Sequence, residues 1–264
     1  MARLDPHSYN DSTQPETETL DWRARVDFKT QRLHAEVTHT LKEASAGPLD
    51  LDTRDLEIRD VVDAAGRPLP YILSPSEPIL GSRLRIELPV GLRQFTVRYR
   101  TAPHASALQW LTPSQTAGGK HPFLYSQCQA IHARSVVPLQ DTPRIRIRYT
   151  ASLRIPKALK AVMAASFLRR EEHGVEAEEH YEMPQPVPPY LLAFAVGSRR
   201  RRSWGRARAC GRSRSCWRTR RRSSPAWTTC CAPPSRSSGP MTGSASTCSP
   251  CRPRSPTAAW RTRA

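Results

Sequence analysis

The fold class is decided by residues 22–28, WRARVDF, in which apolar and charged side chains alternate strictly. Successive side chains of a β-strand point to opposite faces, so this period of two predicts a strand with one buried face. The alternation resumes over residues 33–41 after a polar break at residues 29–32, the arrangement of a hairpin. The sequence therefore predicts a pair of antiparallel strands near its beginning.

Strand patterns recur along the rest of residues 1–197. They cover residues 56–62, 84–88, 95–99, 145–149 and 190–196. Ala65 and Gly66 predict a turn, and residues 89–92, PVGL, predict a break between two strands. A sustained helical period is missing, and the connections are short. The pattern predicts an all-β domain, an antiparallel sandwich or curved sheet.

The charge of the chain is concentrated at one end. Its 264 residues include 41 basic and 23 acidic side chains, a formal net charge of +18. Residues 198–264 contain 17 Arg and no Lys, Asp or Glu, which leaves 24 basic and 23 acidic groups in residues 1–197. This distribution excludes a uniformly basic globular protein. We expect a near-neutral domain at residues 1–197 and a segment of another kind at residues 198–264.

Residues 198–264 have the composition of a disordered segment, because they lack Leu, Ile, Val, Phe and Tyr. Such a segment buries too little apolar surface to offset about 1–2 kcal/mol of backbone entropy per residue. Its Arg and Trp residues suit non-specific binding of nucleic acid. Cys248 and Cys251 offer two zinc ligands, but a second well-spaced pair is missing. A coding-frame artefact explains the same composition, so these interpretations stay open at this point.

Three groups of residues carry candidate chemistry. Gln127 and Gln129 are predicted to share one face of a strand, where their carboxamides can hold a polar substrate or be merely solvated. Cys128 between them has no basic neighbour and is expected to be a small packed residue. Glu and His residues at 171–173 and 178–180 suggest metal ligands, but Gly174 lies between the two groups. A charged hairpin tip is the plainer interpretation.

The location of the protein follows from its apolar stretches and cysteines. Residues 190–197 are the longest apolar stretch and are shorter than the ~20 residues needed to span a bilayer. Residues 1–12 lack the apolar run of a signal peptide, and Cys128 is the single cysteine of residues 1–197. We therefore expect a cytoplasmic protein without a membrane partner.

Residues 125–150, YSQCQAIHARSVVPLQDTPRIRIRYT, are the most specific stretch of the chain. DPHSYND at residues 5–11 and VPPYLLAFAVG at residues 187–197 support it. Together they resemble the N-terminal domain of the M1 zinc aminopeptidases, in the branch of leukotriene-A(4) hydrolase and aminopeptidase B. The resemblance covers about three quarters of the chain. It implies a saddle-like β-domain that precedes a catalytic domain.

The resemblance also implies a function. The family removes N-terminal residues from peptides, using a zinc ion held by a His-Glu-x-x-His motif and a downstream Glu. Gln127 and Gln129 would then bind substrate, and the natural packing partner of the β-domain would be the catalytic domain. This sequence contains no His-Glu-x-x-His, so we expect the chain to have no catalytic or metal-ligating residues, no bound zinc and no activity of its own. The epoxide-hydrolase activity of one family member is not implied.

Residues 198–264 can be decoded, one base out of register, into the motif that the family resemblance leads us to expect next. Residues 257–263, TAAWRTR, can encode YGGMENP in the shifted frame, and residues 239–243, GPMTG, can encode GPYDW. We therefore interpret residues 198–264 as a frameshift product of the start of the catalytic domain. Two alternatives are a non-catalytic β-domain whose basic tail binds nucleic acid non-specifically, and a structural or inhibitory partner of a full-length enzyme.

Overall fold

A computed structural model gives the structure of residues 5–116 and 118–198. This part of the chain contains twelve β-strands and three short 3-10 helices, which confirms the all-β prediction. The strands are β1 (Thr17–Asp27), β2 (Arg32–Thr53), β3 (Glu57–Asp63), β4 (Tyr71–Leu73), β5 (Ser82–Arg100), β6 (Leu108–Leu111), β7 (Phe123–Ser126), β8 (Ile147–Pro156), β9 (Lys160–Met163), β10 (Ser166–His173), β11 (Glu176–Val187) and β12 (Phe194–Gly197). The 3-10 helices are Pro113–Gln115, Ala133–Ser135 and Pro189–Leu191.

The remaining predictions for the end of the chain concern residues outside the described ones. These are the disorder, the shifted frame, the nucleic-acid binding and the Cys248–Cys251 pair. Within residues 5–116 and 118–198, no helix is long and apolar enough to cross a membrane.

The strands form two sheets. The large sheet has the order β10-β11-β8-β1-β2-β5-β3 with β4 on β5, and the small sheet has the order β6-β7-β12-β9. The predicted hairpin is confirmed, because β1 and β2 are antiparallel with Asp27 opposite Arg32. The turn predicted after β3 is also present, and Gly66 adopts a positive φ of 78° there.

Among the described strands, every pair has the predicted antiparallel direction except β1 and β8. These strands are parallel, with Ala24 opposite Leu153. Parallel neighbours need a long connection, since the chain must return to the same end of the sheet before it pairs. Here the connection contains β2 to β7. A local pattern of alternating residues therefore could not indicate the direction of β8.

Two predicted strand boundaries also differ from the structure. The break expected at residues 89–92 is absent, because β5 runs through it and pairs with β2 on both sides. The ladder register shifts between Thr40 and Gly47 on β2, which lets the strand pair accommodate exposed Pro89 and Gly91. The strand expected at residues 190–196 begins only at Phe194, because Pro189 starts a 3-10 turn.

The core lies between the inner faces of the two sheets. Trp22 of β1 is buried, and its Nε1 donates to the hydroxyl oxygen of Tyr99 on β5 at 3.0 Å. The Trp22 ring also lies 5.4 Å from the ring of Phe194 on β12, which joins the large sheet to the small one. Burial of such side chains stabilises the fold by roughly 25 cal/mol per Å² of apolar surface. The intervening Arg23 and Arg25 are exposed on the opposite face.

Candidate functional site

The small sheet has an apolar outer face that the described residues leave open. Tyr125 of β7 lies opposite Ala195 of β12, which in turn lies opposite Val162 of β9. Tyr125 and Val162 are 38% and 41% exposed, and Phe123 extends the same face two residues along β7. We call these residues the outer face of the small sheet. Exposed apolar side chains grouped on one sheet face are a common feature of interaction surfaces.

Gly197 ends this face next to the Phe123 ring. A Cβ added to Gly197 would lie 2.2 Å from Cδ2 of Phe123, closer than two carbon atoms can approach. The phenyl ring therefore rests on the bare glycine backbone. Because the φ of Gly197 is not in the left-handed region, the requirement for glycine here is steric.

Gln127 and Gln129 follow directly after β7. They do not lie on a strand as predicted, since β7 ends at Ser126 and the chain turns at residues 129–132. Both glutamines are exposed and Cys128 between them is 2% exposed, so the predicted alternation of sides is present without a strand. The backbone N–H of Gln127 donates to the carbonyl oxygen of Ala107 at 2.8 Å, and the peptide bond after Gln129 is cis. The two carboxamides thus lie on the open surface beside Tyr125.

Cys128 anchors this turn to the core. Its backbone carbonyl accepts from the N–H of His132 at 2.9 Å, and its side chain belongs to the main hydrophobic cluster. Burial, helped by the nearby Asp141 carboxylate, raises the pKa of the Cys128 thiol to about 12. The thiolate is therefore scarce at neutral pH, which confirms the interpretation of a packed residue.

Arg134 fixes the other end of residues 127–136, which we call the glutamine loop. Its Nε donates to Oδ2 of Asp141 at 3.1 Å, and its backbone N–H donates to the same oxygen at 3.2 Å. Its terminal nitrogens donate to the carbonyl oxygens of Leu80 at 2.8 Å and His7 at 2.7 Å. One buried guanidinium therefore joins the loop to two distant segments.

Asp52 completes this buried ionic cluster. Its carboxylate accepts from the Ser8 hydroxyl at 2.6 Å, the Tyr9 N–H at 2.8 Å and the Asp141 N–H at 2.8 Å. Its Oδ1 also lies 3.8 Å from an Arg134 nitrogen. Burial raises the pKa of Asp52, and burial raises that of Asp141 to about 6. Two carboxylates thus share one guanidinium.

Sequence reasoning missed this cluster. A signal was present, because Arg134 lies between Ala133 and the apolar pair Val136 and Val137, where a charged side chain is unusual. The partner could not be inferred from the spacing. Asp52 is contributed by β2, and only the tertiary fold brings it to the loop.

His132 lies at the exposed edge of the glutamine loop. Its Nδ1 is hydrogen-bonded to the Ser106 hydroxyl at 2.8 Å and lies 3.3 Å from a nitrogen of Arg54. Partial burial, then Arg54 and Arg134, lower the pKa of His132. The surroundings of His132 therefore favour the neutral imidazole over the imidazolium.

The Glu and His residues at 171–173 and 178–180 lie on a β-hairpin formed by β10 and β11. His173 lies opposite Glu176 across a turn at Gly174, which confirms the charged hairpin tip. Over residues 5–116 and 118–198, no group of three or more His, Cys, Asp or Glu side chains is placed to hold a metal ion. These residues therefore do not fit the zinc ion that the resemblance implies, and no zinc chemistry is assigned to them.

The sequence of this β-domain is similar to those of known proteins. Residues 5–191 match the Peptidase M1 N-terminal domain. The chain is 35% identical over 213 residues to leukotriene A-4 hydrolase of Xenopus laevis, covering 76% of this chain and 34% of that protein. It is also 35% identical over 184 residues to leucine aminopeptidase 2 of Emericella nidulans, covering 65% and 29% of the two chains.

Solved structures give the same assignment. Native leukotriene A4 hydrolase of Saccharomyces cerevisiae superposes with a TM-score of 0.64 and 31% identity, over 74% of this chain and 31% of that chain. An M1 zinc metallopeptidase of Deinococcus radiodurans has a TM-score of 0.57 and 19% identity, over 69% and 42% of the two chains, which shows the shared fold.

The fold is thus that of an M1 N-terminal domain, and the chain belongs to the M1 peptidase family through this domain. The chain spans about a third of the length of the curated relatives it matches. Gln127, Gln129 and the residues that anchor them lie within the matched residues 5–191.

Proposed function

We propose that this chain is the substrate-positioning β-domain of a zinc aminopeptidase in the branch of leukotriene-A(4) hydrolase and aminopeptidase B. One observation carries the proposal. Gln127 and Gln129 present two exposed carboxamides on either side of buried Cys128. They do so in a loop that Arg134 holds from within the core.

The chemistry of the glutamines suits a peptide substrate. Each carboxamide offers two N–H donors and a carbonyl acceptor without adding charge. A peptide end has free backbone donors and acceptors, and it needs partners for both when it leaves water. A rigid loop loses little conformational freedom on binding, so a pair of anchored carboxamides can orient a peptide at a modest entropic cost.

The outer face of the small sheet supplies the contact with the catalytic domain. Tyr125 lies two residues before Gln127 and both are exposed, so an element that covers Tyr125 also borders the glutamine loop. The substrate cleft then lies between the β-domain and the catalytic domain, with the zinc ion contributed by the latter.

This chain is proposed to be inactive alone. The described residues form no metal-holding group, and residues 198–264 are proposed to be the start of the catalytic domain read in the wrong frame. Seventeen Arg residues bind nucleic acid only through charge, so we assign no specific nucleic-acid partner. The single cysteine in residues 1–197 supports a cytoplasmic, reducing location.

The test has two stages. Resequencing the DNA from the codon of Gly197 onward is expected to place a His-Glu-x-x-His motif in a single corrected frame. The 264-residue chain with added zinc is expected to release no free amino acid from aminoacyl-amide substrates, whereas the corrected protein should do so. Activity of the uncorrected chain, or downstream frames without the motif, would contradict the proposal.

The role of the glutamines is tested in the corrected protein. Gln127→Ala and Gln129→Ala should each lower kcat/KM by about tenfold or more, because each removes hydrogen bonds to the substrate. Gln94→Ala is the matched control, since Gln94 is exposed on β5 of the large sheet. Equal effects of all three substitutions on kcat/KM would show that Gln127 and Gln129 do not bind the substrate.

A further inference from the structure

The outer face of the large sheet contains a second candidate site, a cleft of about 440 Å³. Its lining includes five arginines from four strands, and we call it the arginine cleft. They are Arg23 and Arg25 of β1, Arg59 of β3, Arg98 of β5 and Arg154 of β8. Six strands contribute to a single cleft, so the sheet curves enough for side chains of non-adjacent strands to face one space.

The register of the sheet places basic side chains next to one another in a cross-strand row that passes through the cleft. Arg25 lies beside Arg154 on one side and beside His34 on the other. His34 in turn lies opposite Arg100 of β5. Carboxylates occupy the outer strands of the same row, with Glu178 opposite Arg154 and Glu57 opposite Arg100. The row is therefore basic in the middle and acidic at both ends.

The carboxylates of this face are shared between arginines. Glu176 lies 2.7 Å from Arg25 and 3.7 Å from Arg154. Glu36 lies 3.7 Å from Arg23 and 3.4 Å from Arg98, which also contact Asp21 at 2.9 Å and Asp60 at 3.1 Å respectively. These ion pairs are solvent-exposed and are worth about 0–1 kcal/mol each, so a ligand can replace them.

Arg59 has no such partner. Within the described part of the chain it forms no hydrogen bond or ion pair, and its side chain is exposed at the wall formed by β3. The strand pairing explains its position, because the β3–β5 register shifts between Ile58 and Asp60 and leaves Arg59 outside the regular ladder. One guanidinium of the cleft is thus available to an added anion.

His34 reports the potential inside the cleft. Partial burial and then the charges of Arg59, Arg25 and Arg100 lower the pKa of His34, against the opposing effect of Asp27. The arginines thus disfavour a further positive charge at the cleft floor. The same field favours a negative charge.

We infer that the arginine cleft binds a small anion that carries two or more phosphate groups. Guanidinium forks match phosphate oxygens and bind them in bidentate fashion. A single phosphate competes with an internal carboxylate for one arginine. An oligophosphate can contact more than one arginine of the cleft at once, among them unpartnered Arg59 and the neighbouring Arg25 and Arg154, which share one carboxylate. This site lies on the large sheet, apart from the glutamine loop, and does not depend on the proposed peptidase function.

The test uses the full chain, inorganic tripolyphosphate and NMR detection of histidine side chains. The His34 signal is assigned from its loss in His34→Gln. Tripolyphosphate is expected to raise the pKa of His34 in a saturable manner, because an anion in the cleft stabilises the imidazolium. Arg59→Gln, described below, separates binding in the cleft from binding to the Arg residues after residue 198.

Matched arginine variants complete the experiment. Arg59→Gln should raise the Kd for tripolyphosphate, measured from the His34 signal, by about fivefold. This factor corresponds to the loss of one exposed charge contact worth about 1 kcal/mol. Arg169→Gln, an exposed arginine of β10 outside the cleft, should leave it unchanged. An unmoved His34 signal, equal effects of both variants, or orthophosphate binding as tight as tripolyphosphate binding would overturn the inference.

Discussion

Arg134 and Asp141 form a fully buried ion pair in which one carboxylate oxygen, Oδ2, accepts from both the side-chain Nε and the backbone N–H of the arginine. Asp52 lies on the other side of the same guanidinium, 3.8 Å away. The glutamine loop therefore depends on charges that water does not reach. Most of the predictions below concern the residues that hold this loop and the neighbouring small sheet.

Removing the guanidinium should be strongly destabilising. Arg134→Met leaves Asp52 and Asp141 buried without their shared cation, and losing one partner of a buried pair costs about 3–5 kcal/mol. Urea unfolding followed by Trp fluorescence measures the change. Arg98→Met, which breaks exposed ion pairs, is the control and should cost about 1 kcal/mol or less. Equal losses in the two variants would contradict the role assigned to Arg134.

Asp141 should give the fold a distinctive pH dependence. Its pKa is about 6 in the folded chain against an ordinary value of 3.8, so folding takes up a proton between these values. The stabilising contribution of this group is complete below about pH 4 and is lost as the pH rises through about 6. Urea unfolding of Asp141→Asn across this range should show a flatter slope than the unchanged chain. An identical slope would show that another group titrates.

Gly197→Ala should disturb the outer face of the small sheet. The new Cβ would meet the Phe123 ring at 2.2 Å, and overpacking of this kind costs about 1–3 kcal/mol. The thermal midpoint of unfolding should fall accordingly. In a Phe123→Ala background the same Gly197→Ala change should cost less, because alanine lacks the ring atoms that the new Cβ would meet. An equal cost of Gly197→Ala in both backgrounds would argue against the steric explanation.

Cys128 should resist alkylation in the folded chain. Burial and a pKa of about 12 keep its thiol protonated and inaccessible at pH 7. Mass spectrometry of the peptide that contains Cys128, after iodoacetamide treatment, should show little modification until urea is added. Rapid modification under native conditions would show that the glutamine loop opens.

Cys128→Ala tests packing separately and should be tolerated better than Cys128→Leu, which adds volume to a filled site.

The strands and the glutamine pair differ in how far sequence alone could predict them. The alternation at residues 22–28 reports a local property, the exposure of successive side chains, and it placed β1 and its hairpin with β2 correctly. The glutamines were correctly predicted to point away from Cys128. The prediction that they lie on a strand was wrong, because a buried residue between two exposed ones produces the same alternation in a turn as in a strand.

Long-range relationships were beyond local patterns. The parallel pairing of β1 with β8 follows from the path of β2 to β7, and the ends of β5 follow from its pairing with β2. In each case the deciding partner is far away in sequence. Backbone hydrogen bonds across a sheet form between whichever strands pack together, and the side-chain period carries no information on direction.

By itself the sequence determined the all-β class, the position of β1 and β2, the family resemblance and the separation of a near-neutral domain from an arginine-rich end. Tertiary structure alone decided that Arg134 neutralises Asp141 and Asp52, that Phe123 rests on Gly197, and that arginines of four strands line one cleft. The physical reason is that alternation is set by each residue's own exposure. Charge pairing and steric contact depend on distances between residues that only the folded sheets bring together.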